Sequence, residues 1–237
     1  LGLVRQPAQR PDVYDDTSYY ILVYGEVFSR LDTGSASEPS RLRASDIHRL
    51  FRSEHTGFLD RVKGSFLLFI YDKSRRRPYL ISDPLSLKPL YYLNTDRGLL
   101  FSTSLLALRN MLAAFEQPVE CDVASVIEYY LFDFTLGAHT MLRGIRELQA
   151  ASLLTLQKGR LTVISYADPF QLFSLNAGLL EEKEAAMLLT DILKKNIAAL
   201  TEGPRSTALA LTGGYDSRSI VALTGSDFQH YTYYSYG

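Results

Sequence analysis

Apolar and polar residues alternate along this chain in two different textures. Up to about residue 166, short apolar runs are separated by tight turns, the pattern of strands joined by hairpins. A polar stretch, residues 13–17, leads into a strand at residues 19–24. Residues 34–40 form a Gly/Ser/Pro loop, and residues 44–52 a short helix with Ser45 or Asp46 near its cap. The run Phe66-Leu67-Leu68-Phe69-Ile70-Tyr71 is continuously apolar, and its length and aromatic content predict a strand buried on both faces. Residues 73–78 turn the chain, and 79–82 return. Residues 90–93 and 99–102 flank a hairpin turn at 94–98, and 153–156 and 161–164 flank another at 157–160. Helices are predicted at 105–114 and at 123–130, the second capped by Asp122.

After Asp168-Pro169 the rhythm changes. Residues 179–200 carry Leu188, Leu189, Ile192, Leu193, Ile197 and Leu200 on one face of a long helix. A strand at 207–211, a glycine turn, a helix through 219–223 stopped by Gly225, and a strand at 231–236 follow. The crossover is long enough for the two strands to pair in parallel. The pattern therefore predicts an α+β region at residues 1–172 and the first β-α-β of an α/β region at residues 178–237. There is no internal repeat. About 60 residues bury only about 60% of their unfolded surface, so the second region is read as the start of a larger one. The chain is expected to be incomplete at both ends.

Composition narrows the picture. Of 237 residues, 46% are apolar, enough for a sizeable core, and the formal net charge of -1 gives no basic nucleic-acid surface. A single cysteine, Cys121, excludes an internal disulfide and is read as structural, in keeping with a reducing compartment. No apolar run reaches the roughly 18 residues of a membrane span, and residues 1–10 lack the apolar core of a signal peptide. His48, His55, His139 and His230 show no metal-ligand spacing. Arg75-Arg76-Arg77 reads as a solvated hairpin tip, and Tyr129, Tyr130, Phe132 and Phe134 as core packing.

The segment with the clearest chemistry is Thr212-Gly213-Gly214-Tyr215-Asp216-Ser217. A strand ends at Leu211, two glycines allow a tight turn and close ligand approach, and a helix begins just after. Its free N–H groups and positive dipole end then point into the turn, which makes an anion site. Thr212 and Ser217 add hydroxyls. Asp216 beside a phosphate calls for a Mg²⁺ or a capping role. The loop is neither G-x-x-x-x-G-K-[ST] nor G-x-G-x-x-G.

This loop resembles the S-G-G-x-D-S loop of ATP pyrophosphatases, with Thr212 for the usual Ser and Arg218 where another Ser is common. Upstream, Tyr71-Asp72 through Asp83-Pro84-Leu85-Ser86-Leu87-Lys88-Pro89-Leu90-Tyr91-Tyr92 resembles the W/Y-D…R-D-x-x-G-x-K-P-L-Y-Y stretch of class II glutaminase domains. Phe101-Ser102-Thr103-Ser104, Gly144-Ile145-Arg146-Glu147-Leu148 and Tyr24-Gly25-Glu26-Val27-Phe28 resemble the family's F-A-S-E, G-I-x-x-L and N-G-E-I-Y, in the family's order. The whole set resembles the glutamine-hydrolysing asparagine synthetase family. That resemblance implies an N-terminal-nucleophile-type αββα sandwich of antiparallel sheets for a glutaminase-like domain, residues 1–172. A parallel-sheet, ATP-pyrophosphatase synthetase domain would start at residues 178–237. It also implies a cytoplasmic ligase using ATP and Mg²⁺. Such an enzyme adenylates a carboxylate, usually aspartate, and amidates it with ammonia from glutamine. The implied partners are these small molecules, with no nucleic acid and no membrane, and a homodimer is admitted.

Carried over by position, Thr212, Gly213, Gly214, Asp216 and Ser217 would contact pyrophosphate, with Asp216 toward Mg²⁺ and Ser235 and Gly237 beside the adenosine. Gly25 and Glu26 would be remnants of the glutamine pocket. The family's cysteine nucleophile and its H-R-G-P-D segment have no counterpart in this chain. Tyr24 stands where the family's oxyanion-hole Asn would, and Lys63 where an Asp would hold the substrate α-amine. These departures keep two alternatives open. One is a β-lactam- or macrocycle-forming relative with a non-functional glutaminase domain, the other a degenerate nucleotide-binding homologue.

Overall fold

The structure, a computed structural model, describes residues 11–29, 40–96, 98–168, 180–201, 207–224 and 231–235. They fall into two compact units, one of residues 11–28 and 42–168, the other of residues 29, 40 and 41 with 180–235.

The first unit holds two sheets. Its larger sheet has seven strands: β1 (Asp12–Asp15), β2 (Tyr19–Ser29), β3 (Arg41–Leu42), β4 (Val62–Asp72), β5 (Arg77–Ser82), β9 (Ser152–Gln157) and β10 (Arg160–Ser165). They run in the order β1-β2-β4-β5-β9-β10, with β3 beside β2. The pairs β1–β2, β4–β5, β5–β9 and β9–β10 are antiparallel. The smaller sheet orders β7 (Gly98–Ser102), β6 (Tyr91–Thr95) and β8 (Arg146–Glu147), again antiparallel. Helices α1 (Ala44–Glu54), α2 (Leu105–Ala114) and α3 (Val123–Phe132) complete the unit, with a 3-10 turn at Gly57–Arg61.

Strand alternation fixes the layers, because successive side chains leave a strand on opposite faces. Phe66, Leu68 and Ile70 of β4 pack with Tyr79 and Ile81 of β5 and with Ile47 and Phe51 of α1. The intervening Leu67 and Phe69 pack with Leu80, Leu154, Tyr92, Leu99 and Phe101, between the two sheets. On β6 the odd residues, Tyr91 and Leu93, face away toward Leu108 and Leu112 of α2. The result is α1, large sheet, small sheet, α2. The two-sided burial expected for residues 66–71 follows directly, since β4 lies inside that stack.

Local chemistry explains the joints. Lys158 and Gly159 carry φ of 49 and 76 in the two-residue turn between β9 and β10, the left-handed pair that matches strand twist. Asp46, expected near the start of α1, is its third residue: its carboxylate accepts from the backbone N–H of the N-cap residue Arg43 at 2.8 Å. Asp122 caps α3 through Ser125 N at 3.2 Å.

In the second unit, α4 (Glu182–Thr201), β11 (Thr207–Ala210), α5 (Tyr215–Leu223) and β12 (Tyr231–Tyr234) follow in order. Strands β11 and β12 pair in parallel, Thr207 opposite Tyr231 through Ala210 opposite Tyr234, as the crossover length suggested. Tyr231 OH reaches Thr201 Oγ1 at 3.4 Å, tying β12 to the last turn of α4.

Several expectations need correction. The polar stretch 13–17 is largely strand: Asp12–Asp15 pairs antiparallel with β2, alternating half-buried and exposed residues. Arg77 and Pro78 belong to β5 rather than to the preceding turn, because Arg77 pairs with Asp72 across the hairpin. Tyr129, Tyr130, Phe132 and Phe134 are not core: they are 47%, 86%, 50% and 59% exposed. On the apolar face of α4, Leu188, Leu189, Ile192 and Leu200 are exposed while Leu193 and Ile197 are half-buried. Helix α5 ends at Leu223 with Thr224 as C-cap, and Gly225, expected to stop it, lies outside the described residues. Cys121 is exposed, bridged through its backbone to Leu142.

Candidate functional site

Two places carry the residues singled out by sequence, one in each unit. In the second unit, Leu211 N donates to Tyr234 O at 2.7 Å, so the chain leaves β11 at the carboxyl ends of both parallel strands. That is where ligands of open parallel sheets sit. Gly213 takes φ 78, a conformation that favours glycine. Gly214 is the N-cap of α5 with an extended backbone (φ -75), and no side chain caps the helix start. Gly214 is thus not required by its dihedrals; lacking a side chain, it leaves the mouth of the helix open.

Thr212 to Asp216 are exposed, while Ser217 is 9% exposed. Ser217 Oγ donates to Gly214 O at 3.2 Å and lies 3.3 Å from Thr212 Oγ1, so the two hydroxyls lock the loop from inside. Arg218 Nε donates to Gly214 O at 3.3 Å, and its guanidinium carbon lies 4.7 Å from the centre of the Tyr215 ring. Ser235 follows directly on β12 and is exposed, at the same strand ends; Gly237 lies outside the described residues. Thr212, Gly213, Gly214, Asp216 and Ser217 therefore share one open turn.

In the first unit, Gly25 and Gly64 meet where the neighbouring strands β2 and β4 run side by side. A Cβ on Gly25 (φ 104) would lie 2.2 Å from Ser65 O, and one on Gly64 (φ 129) 2.1 Å from Glu26 O. Both glycines are there because backbone fills the space a side chain would need. Glu26 next door is half-buried, and Lys63 is exposed. Lys88 Nζ lies 5.1 Å from the centre of the Tyr24 ring, a cation–π contact.

Lys88 is placed by a buried carboxylate. Asp83, 0% exposed, accepts from Leu85 N at 2.9 Å and from Phe66 N at 3.2 Å. Its two oxygens also lie 3.3 and 3.2 Å from Leu87 N. These bonds satisfy the charge that burial would otherwise penalise and shape residues 83–90. Tyr166 OH donates to Ser82 O at 2.6 Å, and burial together with the Asp83 charge pushes its pKa up.

Beside Tyr24, between the sheets, lies a cavity of about 250 Å³ lined by Leu22, Tyr24, Phe69, Leu90, Phe101 and Thr103 among others. Its walls are mainly apolar, with the polar side chains of Ser102 and Thr103 among them. The sequence flagged Gly25 and Glu26 but not Gly64 or Lys88 as their neighbours. Lys88 stood inside a recognised motif, and its contact with Tyr24, 64 residues away, has no local signal. No group of three or more His, Cys, Asp or Glu side chains placed to hold a metal occurs among the described residues.

Comparison with known proteins agrees with the two-sheet unit. Residues 4–167 match the glutamine amidotransferase domain family. Asparagine synthetase [glutamine-hydrolyzing] 1 of Bacillus subtilis (strain 168) is 22% identical over 223 residues, covering 90% of this chain and 34% of that protein. A putative asparagine synthetase [glutamine-hydrolyzing] of Mycobacterium tuberculosis (strain ATCC 25618 / H37Rv) is 21% identical over 226 residues, covering 92% of this chain and 34% of that protein. The chain thus spans about a third of the length of these curated relatives. A solved glutamine phosphoribosylpyrophosphate amidotransferase from B. subtilis, complexed with ADP and GMP, covers 95% of this chain and 48% of its own. That likeness is loose, with a TM-score of 0.38 at 10% identity. With more than half of its length inside one family, the chain belongs to the glutamine amidotransferase domain family, and it has asparagine synthetases among its homologues.

Proposed function

We propose that this chain is part of an ATP-dependent, amide-forming ligase of the asparagine synthetase kind. A carboxylate is a poor acyl donor because its leaving group is oxide. In the proposed reaction a substrate carboxylate oxygen, from aspartate or another acid, attacks the α-phosphorus of ATP, and pyrophosphate leaves. Ammonia then displaces AMP to give the amide.

The loop of Thr212, Gly213, Gly214 and Ser217 holds the β- and γ-phosphates through backbone N–H groups and hydroxyls, positioning them and offsetting the charge that grows on pyrophosphate. Asp216 would hold the Mg²⁺ that accompanies the phosphates. One carboxylate suits that ion, which keeps most of its shell as water and phosphate oxygen, and Asp216 is the one carboxylate on residues 207–224. Ser235 would stand beside the adenosine, and Gly237, outside the described residues, is assigned there from the sequence alone. The observation that carries this reading is the open turn between β11 and α5, at the carboxyl ends of two parallel strands, in a chain whose relatives over 90% of its length include a glutamine-hydrolysing asparagine synthetase.

A second reading concerns the ammonia source. Tyr24 and Lys63 stand where the resemblance expects an oxyanion-hole Asn and an α-amine-binding Asp, and Tyr24 is covered by Lys88. These changes favour a ligase fed by free ammonia or another amine, with Gly25 and Glu26 kept as framework. Under that reading the product extends to a β-lactam or a macrocycle.

The test is pyrophosphate release by the full-length protein with ATP, Mg²⁺ and aspartate, supplied with either ammonium or glutamine. Release with both supports the full amidotransferase. Release with ammonium alone supports the second reading. Absence of release with every carboxylate tried removes the ligase proposal and leaves a nucleotide-binding homologue.

A further inference from the structure

Residues 207–224 and 231–235 contain one cationic side chain, Arg218, and one carboxylate, Asp216. Without Arg218, these described residues would present to a polyphosphate a formal charge of its own sign, offset before any Mg²⁺ binds by the partial positive charge of the helix end. Arg218 is also held in place. Its Nε is committed to Gly214 O at 3.3 Å, and its guanidinium lies over the ring of Tyr215, which is 82% exposed. No carboxylate comes within ion-pair distance of it among the described residues, so the terminal nitrogens keep their donors for an incoming anion. A planar, fixed guanidinium presents two parallel N–H groups that match two phosphate oxygens, and stacking on an aromatic ring lowers the entropy lost when they engage.

We propose that Arg218 is the cationic phosphate contact of this loop and makes the site select nucleoside triphosphates over monophosphates. Tyr215 is the platform that keeps it there. The inference rests on the nucleotide reading given above and goes beyond it by naming the side chain and the part of the ligand it meets.

Titration calorimetry of the full-length protein with Mg·ATP and with AMP, on the wild type, Arg218→Ser and Arg218→Lys, tests it. The wild type is expected to bind ATP more tightly than AMP. Arg218→Ser is expected to weaken ATP about tenfold or more, the scale of one charged hydrogen-bonded contact, and to leave AMP unchanged. Arg218→Lys should recover part of the loss, since charge returns without the fork. Unchanged AMP binding shows the variant loop still folded, so a purely structural role would not produce this split. If Arg218→Ser keeps the wild-type ratio of ATP to AMP affinity, or loses both ligands equally, the inference falls while the nucleotide reading stands. If the wild type binds neither nucleotide, or prefers AMP, the nucleotide reading itself falls and takes the inference with it.

Discussion

Ser86 holds a left-handed backbone, φ 51, inside the loop that Asp83 organises. A side chain there costs conformational energy that glycine avoids, and the Ser86 hydroxyl returns only a long 3.4 Å bond to Leu148 O. Ser86→Gly is expected to raise stability by about 0.5–1 kcal/mol, read from urea denaturation midpoints. Gly25→Ala should do the reverse, costing on the order of 3 kcal/mol or more through strain and overpacking, since the new methyl would meet Ser65 O.

Asp16 sets an acid limit. Its carboxylate accepts from Tyr19 N at 2.6 Å and Ser18 N at 2.7 Å, which hold its pKa below the usual 3.8; Tyr14 and His48 add to this against partial burial. A depressed carboxylate stabilises the fold fully above its unfolded value, and that contribution is lost as pH falls through the folded value. Thermal midpoints of wild type and Asp16→Asn should therefore differ near neutral pH and converge well below pH 3.8.

Among elements, the hairpins were the most legible in sequence, because turn residues and apolar runs speak together there. The β9–β10 turn shows why: Lys158 and Gly159 take the two left-handed positions. Lys158→Asn, better suited to that conformation, should stabilise the hairpin by about 0.5 kcal/mol, measured as a shift in thermal midpoint. Strand β1 was not legible, since a four-residue alternation of Asp, Val, Tyr and Asp looks like any polar turn until β2 pairs with it. The aromatic positions of α3 were misjudged for a related reason. Helical spacing says which residues share a face, not whether anything covers it, and Tyr130 remains 86% exposed. The open turn before α5 was readable because its glycines, hydroxyls and strand-to-helix junction are contiguous. The Lys88–Tyr24 and Gly25–Gly64 contacts were not, because each joins residues far apart in sequence.

At the scale of the molecule, burial is unequal. The first unit contains three buried apolar clusters, whereas in the second Ser217, 9% exposed, is the one buried residue among those described. Local stability follows buried contact. Hydrogen exchange should therefore leave the amides of β4 and β5 slowest, with α4, β11 and β12 exchanging orders of magnitude faster. Equal protection across both units would contradict this.

The backbone contact between the neighbouring strands β2 and β4 has a consequence for how such chains are compared. Two strands touch there through bare backbone, so either glycine would persist under selection for folding alone, with or without turnover. A glycine recovered at position 25 or 64 of an uncharacterised relative accordingly vouches for architecture and says nothing about hydrolysis. The flanking positions, 24 and 63, are free of that steric demand and are where gain or loss of chemistry would be written.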